Sequence, residues 1–283
     1  MGEVAGMLDD DRLLALFERL ALEAGKRILE VRARGTVIET KSDASPVTEA
    51  DRAAEAIILT GLRGALPSMA CVAEEEVAAG VVCDTATGAF ILIDPLDGTR
   101  EFVNGKPDFT VNIALVRGGV PVVGTVYAPV RGEIFSGRPG HATMAQIGAD
   151  FTISERRRIA VRELPERPTV VASRSHRTPE TDAFLDSLGD AEICSIGSSL
   201  KFGLLARGDA DLYPRLGRTM EWDTAAGDAV LRAAGGQTLT LDGKPLVYGK
   251  RNQADDVDFA NPWFFACGNA GPKREALLAC FAK

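Results

Sequence analysis

The first half of the chain combines two kinds of hydrophobic pattern. Apolar residues recur at helical spacing from Leu8 to Val31 and from Thr48 to Leu62, which predicts two helices. A short strand over Thr36–Thr40 and a polar loop over residues 41–46 separate them. The apolar runs Met69–Ala73 and Ala89–Ile93 are typical of buried strands. Further strand-length segments, ending at Ile147, predict an antiparallel meander after the helices.

The second half has a different rhythm, in which strands and helices alternate. The predicted strands are Thr169–Ala172, Ala191–Ile196, Ala210–Tyr213, Gln237–Leu241 and Phe264–Ala266. The predicted helices are Pro179–Leu188, Ser198–Ala206, Asp223–Ala234 and Lys273–Phe281. Such alternation indicates an α/β unit.

The two halves are joined by a segment of different composition, Asp150–Pro168. Its charged run Glu155–Arg158 and its prolines predict a solvent-exposed surface connection. We therefore expect two regions, residues 1–155 and residues 156–283. The predicted fold class is α/β, with an α+β N-terminal half and an α/β C-terminal half.

Composition narrows the class of protein. A chain of 283 residues with 46% hydrophobic content can bury a large core. No run of about 18 apolar residues predicts a transmembrane segment, and the N-terminus lacks the pattern of a signal peptide. Five irregularly spaced cysteines indicate reduced thiols. We expect a cytoplasmic protein, and leave open a peripheral position on the inner membrane face and the choice between monomer and homodimer.

Charge and missing motifs exclude several functions. The formal net charge of −8 argues against general nucleic-acid binding, and an anionic ligand would need cations supplied locally. Only two histidines are present, which excludes a His-rich zinc or iron site. The chain also lacks G-x-S-x-G, G-x-x-x-x-G-K-[ST] and G-x-G-x-x-G, the short motifs of hydrolases, nucleotide triphosphatases and dinucleotide-binding enzymes.

The candidate chemistry centres on the stretch Ile93–Phe102. Asp94 follows a buried strand, Asp97 comes three residues later, and the next two residues open a predicted short helix. Two carboxylates with the Leu96 carbonyl between them suit a hard cation such as Mg²⁺, and N–H groups at a helix start suit a phosphate. A tight turn with two solvated Asp residues explains the stretch equally well when it is taken alone.

Three other acidic residues bear on that choice. Glu74 ends another strand, Asp51 has capping-box spacing in the second helix, and Asp223 precedes an Ala/Gly-rich helix as a predicted N-cap. Each has an ordinary structural explanation, for Glu74 a solvated strand edge. If they converge on the central stretch, however, so many carboxylates need a compensating cation.

One family of phosphatases can be set aside on spacing. The string D-P-L-D-G-T resembles the D-x-D-G-T of phosphatases with an Asp nucleophile. Here the carboxylates are three residues apart rather than two, so the second cannot lean back over the first in that way. We therefore disfavour an aspartyl-phosphate mechanism.

Longer strings resemble a known family. Glu74-Glu75, Asp94–Thr99 and Trp222–Gly227 are similar, in the same order, to the three signatures of the inositol monophosphatase superfamily of metal-dependent phosphatases. The resemblance extends at least from Lys41 to Gly236. Three further strings look most like the subgroup of CysQ-type 3'(2'),5'-bisphosphate nucleotidases. They are Ser173–His176, Ser195–Phe202 and Leu212–Arg215.

The resemblance implies a fold and a set of site residues. The implied fold is a layered α/β/α/β/α sandwich with the site between the halves. The implied metal site holds two or three Mg²⁺ ions, with ligands Glu74, Asp94, the Leu96 carbonyl, Asp97 and Asp223. The implied catalytic residues are Asp51, Thr99 and Glu74. The implied substrate-binding residues are Gly98, Thr99, His176, Ser198, Lys201 and Arg215.

The resemblance also implies a reaction in sulfur metabolism. It is the hydrolysis of adenosine 3',5'-bisphosphate (PAP) to AMP and phosphate, sensitive to lithium, with the 5'-phosphosulfate form (PAPS) as a second candidate substrate. An inositol or sugar monophosphatase is one alternative, and a catalytically silent protein that binds metal or nucleotide is another. Inositol monophosphatases place a Glu seven residues before the aspartate that matches Asp223. Here that position is Leu216, which weakens the inositol alternative.

Overall fold

A computed structural model of the protein describes residues 8–35, 38–40, 46–173, 177–271 and 278. Its helices are α1 (Asp10–Arg34), α2 (Glu49–Ala65), α3 (Glu74–Ala78), α4 (Thr99–Val103), α5 (Pro179–Ser187), α6 (Leu200–Ala206) and α7 (Glu221–Ala233). Its strands are β1 (Ile38–Thr40), β2 (Pro46–Thr48), β3 (Ala70–Ala73), β4 (Ala89–Asp97), β5 (Thr110–Arg117), β6 (Val120–Ala128), β7 (Glu133–Arg138), β8 (His141–Ile147), β9 (Ile153–Arg158), β10 (Thr169–Ser173), β11 (Glu192–Ile196), β12 (Leu212–Arg215), β13 (Gln237–Thr240) and β14 (Phe264–Cys267).

Two sheets and three helical layers stack on one another. The N-terminal sheet has the order β3-β4-β5-β6-β7-β8-β9, with β3 parallel to β4 and the later neighbours antiparallel. The C-terminal sheet has the order β11-β10-β12-β14-β13. One core joins α1 and α2 to the N-terminal sheet, a second fills the space around α6 and α7 between the sheets, and a third lies under α5. The predicted α/β/α/β/α sandwich is confirmed.

The sequence explains why α1 begins and ends where it does. Asp9 caps it, since its Oδ1 accepts a hydrogen bond from the Arg12 N–H at 2.8 Å. Gly35 ends it with φ +85°, in the region that favours glycine. Its apolar stripe, including Phe17 and Ile28, is fully buried against the sheet.

Glycines bring α7 close to the N-terminal sheet. A Cβ added to Gly124 would lie 2.5 Å from the Ala226 carbonyl oxygen, and one added to Gly137 would lie 2.6 Å from Val230 Cα. Larger residues at either strand position would push the helix away. The backbone of this Ala/Gly-rich helix therefore packs directly on the sheet along its middle, at Ala226 and Val230.

Several predicted elements differ from those observed. The segment Glu155–Arg158, predicted as a surface connection, belongs to β9, an edge strand of the N-terminal sheet whose residues are exposed. Charged side chains suit such an edge because they discourage further strand pairing. Pro46–Thr48, part of a predicted loop and helix start, pairs with β1 as a strand. The strand that ends at Asp94 in the sequence interpretation continues to Asp97 after a register shift.

Two other predictions are not tested by the described residues. The final helix over Lys273–Phe281 lies outside the described residues, except for Leu278. The division at residues 155 and 156 stays a prediction. Within the described ranges, no helix is both long and apolar enough to span a bilayer.

Candidate active site

A cavity of about 210 Å³ is lined by residues from both the N-terminal and the C-terminal parts of the chain. Its N-terminal side carries Glu74, Asp97, Gly98, Thr99, Arg100 and Glu101. Its C-terminal side carries Ser173, Ser198, Ser199, Lys201, Tyr213, Arg215, Arg218, Thr219 and Asp223. The cavity therefore brings predicted residues from distant parts of the chain to one place.

The end of β4 carries two of the candidate carboxylates, Asp94 and Asp97. Asp94 accepts a hydrogen bond from the Leu96 N–H at 3.0 Å and is 1% exposed. Gly98 then takes φ +95°, and a Cβ there would lie 3.0 Å from the Asp108 carbonyl oxygen. This position needs glycine on both counts, and α4 begins immediately after it.

Asp51 caps α2, as its spacing predicts, and also contacts Thr99 of the cavity lining. Its Oδ2 accepts hydrogen bonds from the Thr48 N–H and hydroxyl, each at 2.7 Å, which completes a capping box. Its Oδ1 accepts a hydrogen bond from the Thr99 hydroxyl at 3.0 Å. The Leu96 carbonyl oxygen lies 3.2 Å from the same hydroxyl. The residue that caps α2 thus also accepts a hydrogen bond from Thr99, which lines the cavity.

Glu74 opens the short helix α3 directly after β3. It shares a side-chain hydrogen bond with Asp94 on the neighbouring parallel strand. Buried Glu55 holds the next turn, accepting hydrogen bonds from the N–H groups of Glu75 at 2.8 Å and Glu76 at 3.0 Å. The acidic strand end is therefore an ordered helix start and not the solvated edge that remained possible.

Asp223 lies inside α7 and does not precede it. The helix begins at Glu221, and Asp223 Oδ2 accepts a hydrogen bond from the Met220 N–H at 2.8 Å. The predicted N-cap role is therefore wrong by position. The carboxylate still caps the helix from its third residue, because that side chain can reach back to the preceding backbone.

Burial and like charge govern the electrostatics of this cluster. Burial raises the pKa of Asp94 well above its usual range, and the neighbouring Glu74, Asp97 and Asp223 raise it further. Burial also raises the pKa of Asp97, against the opposing effect of Lys201. Burial together with repulsion from Asp97 and Glu74 raises the pKa of Asp223 to about 8. These carboxylates share one electrostatic environment.

The donor chemistry of the cluster fits a hard cation. Its candidate ligands are all oxygen atoms, which suit Mg²⁺. Among the described residues no three Asp, Glu, His or Cys side chains are placed close enough together to hold a metal ion as they stand. The fit rests on the chemistry of the donors and on their mutual repulsion, which a divalent cation would relieve.

Basic residues line the same cavity. Lys201 is 3% exposed, and its ammonium donates to the Ser198 carbonyl oxygen at 2.5 Å. Burial lowers the pKa of Lys201 to about 8. Arg215 is 8% exposed and donates to the Arg218 carbonyl oxygen at 2.7 Å, while its buried Nε has no hydrogen-bond partner within the described residues. His176 lies outside the described residues.

A family model matches almost the whole of this architecture. The model of the inositol monophosphatase family matches residues 9–263. The chain belongs to this family. The resemblance stated from the sequence is thereby confirmed, together with the fold class.

Individual relatives within and around the family agree. The chain is 43% identical to the 3'(2'),5'-bisphosphate nucleotidase CysQ of Escherichia coli (strain K12) over 248 residues, which is 87% of this chain and 96% of that protein. The crystal structure of CysQ from Bacteroides thetaiotaomicron superposes with a TM-score of 0.76 at 34% identity, covering 92% of this chain and 98% of that one. An inositol monophosphatase from Anabaena shares the fold, with a TM-score of 0.70 at 24% identity and 96% coverage of both chains.

Three residues that line the cavity or support its lining were not singled out from the sequence. Glu55 follows Asp51 by one helical turn, so the two lie on the same face of α2, and that spacing was the available signal. Arg100 directly follows the Gly-Thr pair and lines the cavity. Ser199 contacts residues from both halves, a contact for which the sequence carries no local signal.

Proposed function

We propose that this chain is a Mg²⁺-dependent phosphatase that hydrolyses PAP to AMP and inorganic phosphate, with PAPS as a second candidate substrate. The single observation that carries the proposal is that acidic and buried basic side chains line the same cavity. Glu74, Asp97 and Asp223 line it together with Lys201 and Arg215. The relatives named as bisphosphate nucleotidases, at up to 43% identity over most of the chain, support this substrate class.

The acidic residues of the site would hold two or three Mg²⁺ ions. The proposed ligands are Glu74, Asp94, the Leu96 carbonyl, Asp97 and Asp223. When bound, such ions supply a lowered pKa for water and charge stabilisation for the leaving oxygen. The raised pKa values of Asp94 and Asp223 support the assignment, because burial and mutual repulsion both disfavour the charged carboxylates and a divalent cation would offset both effects.

The chain's own residues would orient the attacking water. The Thr99 hydroxyl donates its proton to Asp51, so its oxygen lone pairs are left to accept a hydrogen bond from water. Water attacks phosphorus, a P–O bond forms and the bond to the 3' oxygen breaks. The attacking water gives up a proton and the leaving 3' oxygen takes one up, so the products are inorganic phosphate and AMP with a 3' hydroxyl. Glu74 is the third catalytic residue of the proposal, and the N–H groups of Gly98 and Thr99 would donate to phosphate oxygens.

The basic residues of the site would hold the phosphate that is not cleaved. Arg215 supports this role, because its buried Nε is a donor that lacks a partner among the described residues. Lys201 supplies a second cation against the net charge of −8. Ser198 and His176 complete the proposed nucleotide-binding set.

The test compares two substrates on matched variants. Lys201→Ala and Arg215→Ala should each lower kcat/KM for PAP by roughly 10- to 100-fold, the value of a lost hydrogen bond to a charged group. The same changes should barely affect an inositol monophosphate, which has no second phosphate. Lys244→Ala is the control, since Lys244 is 79% exposed and pairs with Asp242. Equal losses on both substrates would contradict the assignment.

The same assays separate the alternative functions. An inositol or sugar monophosphatase would prefer the monophosphate, and a silent binding protein would release no phosphate with Mg²⁺ present. Activity should disappear in excess chelator, return with Mg²⁺, and be inhibited by lithium. We place the enzyme in the cytoplasm, a proposal supported by the free thiols of Cys71, Cys83, Cys194 and Cys267.

A further inference from the structure

Ser199 is a hydrogen-bonded contact between the two halves at the cavity. It lies one residue before α6 and is 3% exposed. Its N–H donates to Asp97 Oδ2 at 2.6 Å. Its hydroxyl oxygen lies 2.8 Å from the same Oδ2 and 2.5 Å from the Asp223 carbonyl oxygen. One residue therefore contacts a carboxylate of β4 and the backbone of α7.

The proton count explains how Ser199 joins both partners. A serine hydroxyl has one proton to donate. Because the Ser199 N–H already donates to Asp97, the hydroxyl can donate to the Asp223 carbonyl without leaving Asp97 unbonded. The Asn112 side-chain amide donates to the hydroxyl oxygen at 3.0 Å and holds its orientation from the sheet.

The backbone before Ser199 is built for close approach. A Cβ added to Gly197 would lie 2.8 Å from the Asp108 carbonyl oxygen and 2.9 Å from Glu101 Cγ. Ser198 takes φ +52°, an uncommon conformation for a residue other than glycine. The segment thus meets the N-terminal half at a distance that a side chain at position 197 would prevent.

We propose that Ser199 is a positioning residue that sets the separation of Asp97 and Asp223, and through it the affinity of the acidic cluster for Mg²⁺. The inference rests on the proposed function, in which both residues are metal ligands. They lie on elements from different halves, and Ser199 is hydrogen-bonded to both. If Ser199 only satisfied the start of α6, its loss would lower stability and leave metal affinity unchanged.

The test measures Mg²⁺ binding by titration calorimetry without substrate. Ser199→Ala should raise the Kd for Mg²⁺ about tenfold, the lower end of the range for residues that orient metal ligands. Ser136→Ala is the matched control, because Ser136 is 1% exposed and its hydroxyl donates to a carboxylate, Glu18, at 2.5 Å. That variant should keep the wild-type Kd. At saturating Mg²⁺, the KM of Ser199→Ala for PAP should match that of the wild type.

The outcomes separate this inference from the proposed function. If the wild type binds Mg²⁺ and hydrolyses PAP while Ser199→Ala keeps the wild-type Kd, the inference is overturned and the proposed function stands. If the wild type does not bind Mg²⁺, both are overturned. Should Ser199→Ala not fold, Ser199→Cys keeps a side chain of similar shape with a weaker donor. It should also raise the Kd, and an unchanged Kd there overturns the inference.

Discussion

Buried carboxylates have different partners at the cavity, which we call the junction, and away from it, which we call the periphery. At the periphery, several of them pair with a basic side chain. Examples are Glu18 with Arg156, Asp211 with Arg162, Asp228 with Arg232 and Glu221 with Lys250. At the junction, no ion pair among the described residues includes Asp94, Asp97 or Asp223.

The neighbours of two carboxylates on α7 show what the difference means. Burial raises the pKa of Asp228, but Arg232 and two hydroxyl groups oppose the rise. Burial raises the pKa of Asp223 as well, and there Asp97 and Glu74 add to the rise. One helix therefore carries a carboxylate that is paired with a cation of the protein, Arg232, and another that forms no ion pair among the described residues and lies beside other carboxylates. If the metal site is as proposed, the first kind stabilises the fold and the second serves binding.

Removing a junction carboxylate is expected to have the largest effect. Asp94→Asn should lower turnover by about 1,000-fold, at the upper end for loss of one electrostatic group in an active site. Its melting temperature without metal should stay equal or rise, because repulsion in the cluster is relieved. The increase in melting temperature that Mg²⁺ causes should shrink. If the variant melted far below the wild type without metal, Asp94 would have a structural role like that of the peripheral carboxylates.

Asp51 belongs to both regions, and its removal should have two measurable effects. Asp51→Ala should lower turnover by about 100-fold, the lower end for a group that assists proton transfer. It should also lower the free energy of unfolding by about 0.5–2 kcal/mol through loss of the capping box. Kinetics and chemical denaturation on the same preparation give both values. Near-normal turnover with lost stability would show that Asp51 acts only as a helix cap.

A peripheral pair should show the opposite pattern. Arg156→Ala removes two hydrogen bonds to Glu18, at 2.7 and 2.9 Å, and should lower the free energy of unfolding by about 1.5–3 kcal/mol. Its kcat, KM and Mg²⁺ dependence should not change. The control is Arg157→Ala, whose exposed neighbouring position in β9 should cost under about 0.5 kcal/mol. Altered Mg²⁺ dependence in Arg156→Ala would break the distinction between the two regions.

Glu55 is a third case, a buried carboxylate that accepts hydrogen bonds from two backbone N–H groups. Burial raises its pKa from 4.5 to about 7. Between these values the folded state binds more protons than the unfolded state, so the Glu55 contribution to stability falls as pH rises from 4.5 to about 7 and is level above that.

The smallest predicted effect is therefore a pH slope, and Glu55→Gln should remove it. Denaturation of the wild type and the variant across this range gives the difference in unfolding free energy at each pH. The wild type should lose stability relative to the variant as pH rises. A difference that does not change with pH would show that burial does not perturb this carboxyl group.

Patterns within one element could be predicted because they depend on near neighbours. The helical stripe of α1, the alternation of the second half and the Asp51 cap all follow from spacing along the chain. The edge strand β9 was missed because its exposed charged residues resemble a surface connection. Asp223 was predicted to be the N-cap of its helix but is the third residue of α7. The two positions are hard to tell apart in a sequence because they differ by only a few residues.

Sequence by itself determined which groups could carry the chemistry: five carboxylates, a Gly-Thr pair and two basic residues in strings that resemble one family. Only the tertiary structure decided that three of the carboxylates line one cavity with the Gly-Thr pair and both basic residues, that Thr99 donates to Asp51, and that Ser199 contacts both Asp97 and Asp223. The physical reason is that these contacts join residues 24 to 102 positions apart. Their distances depend on how the two sheets and α7 pack, which spacing along the chain does not report.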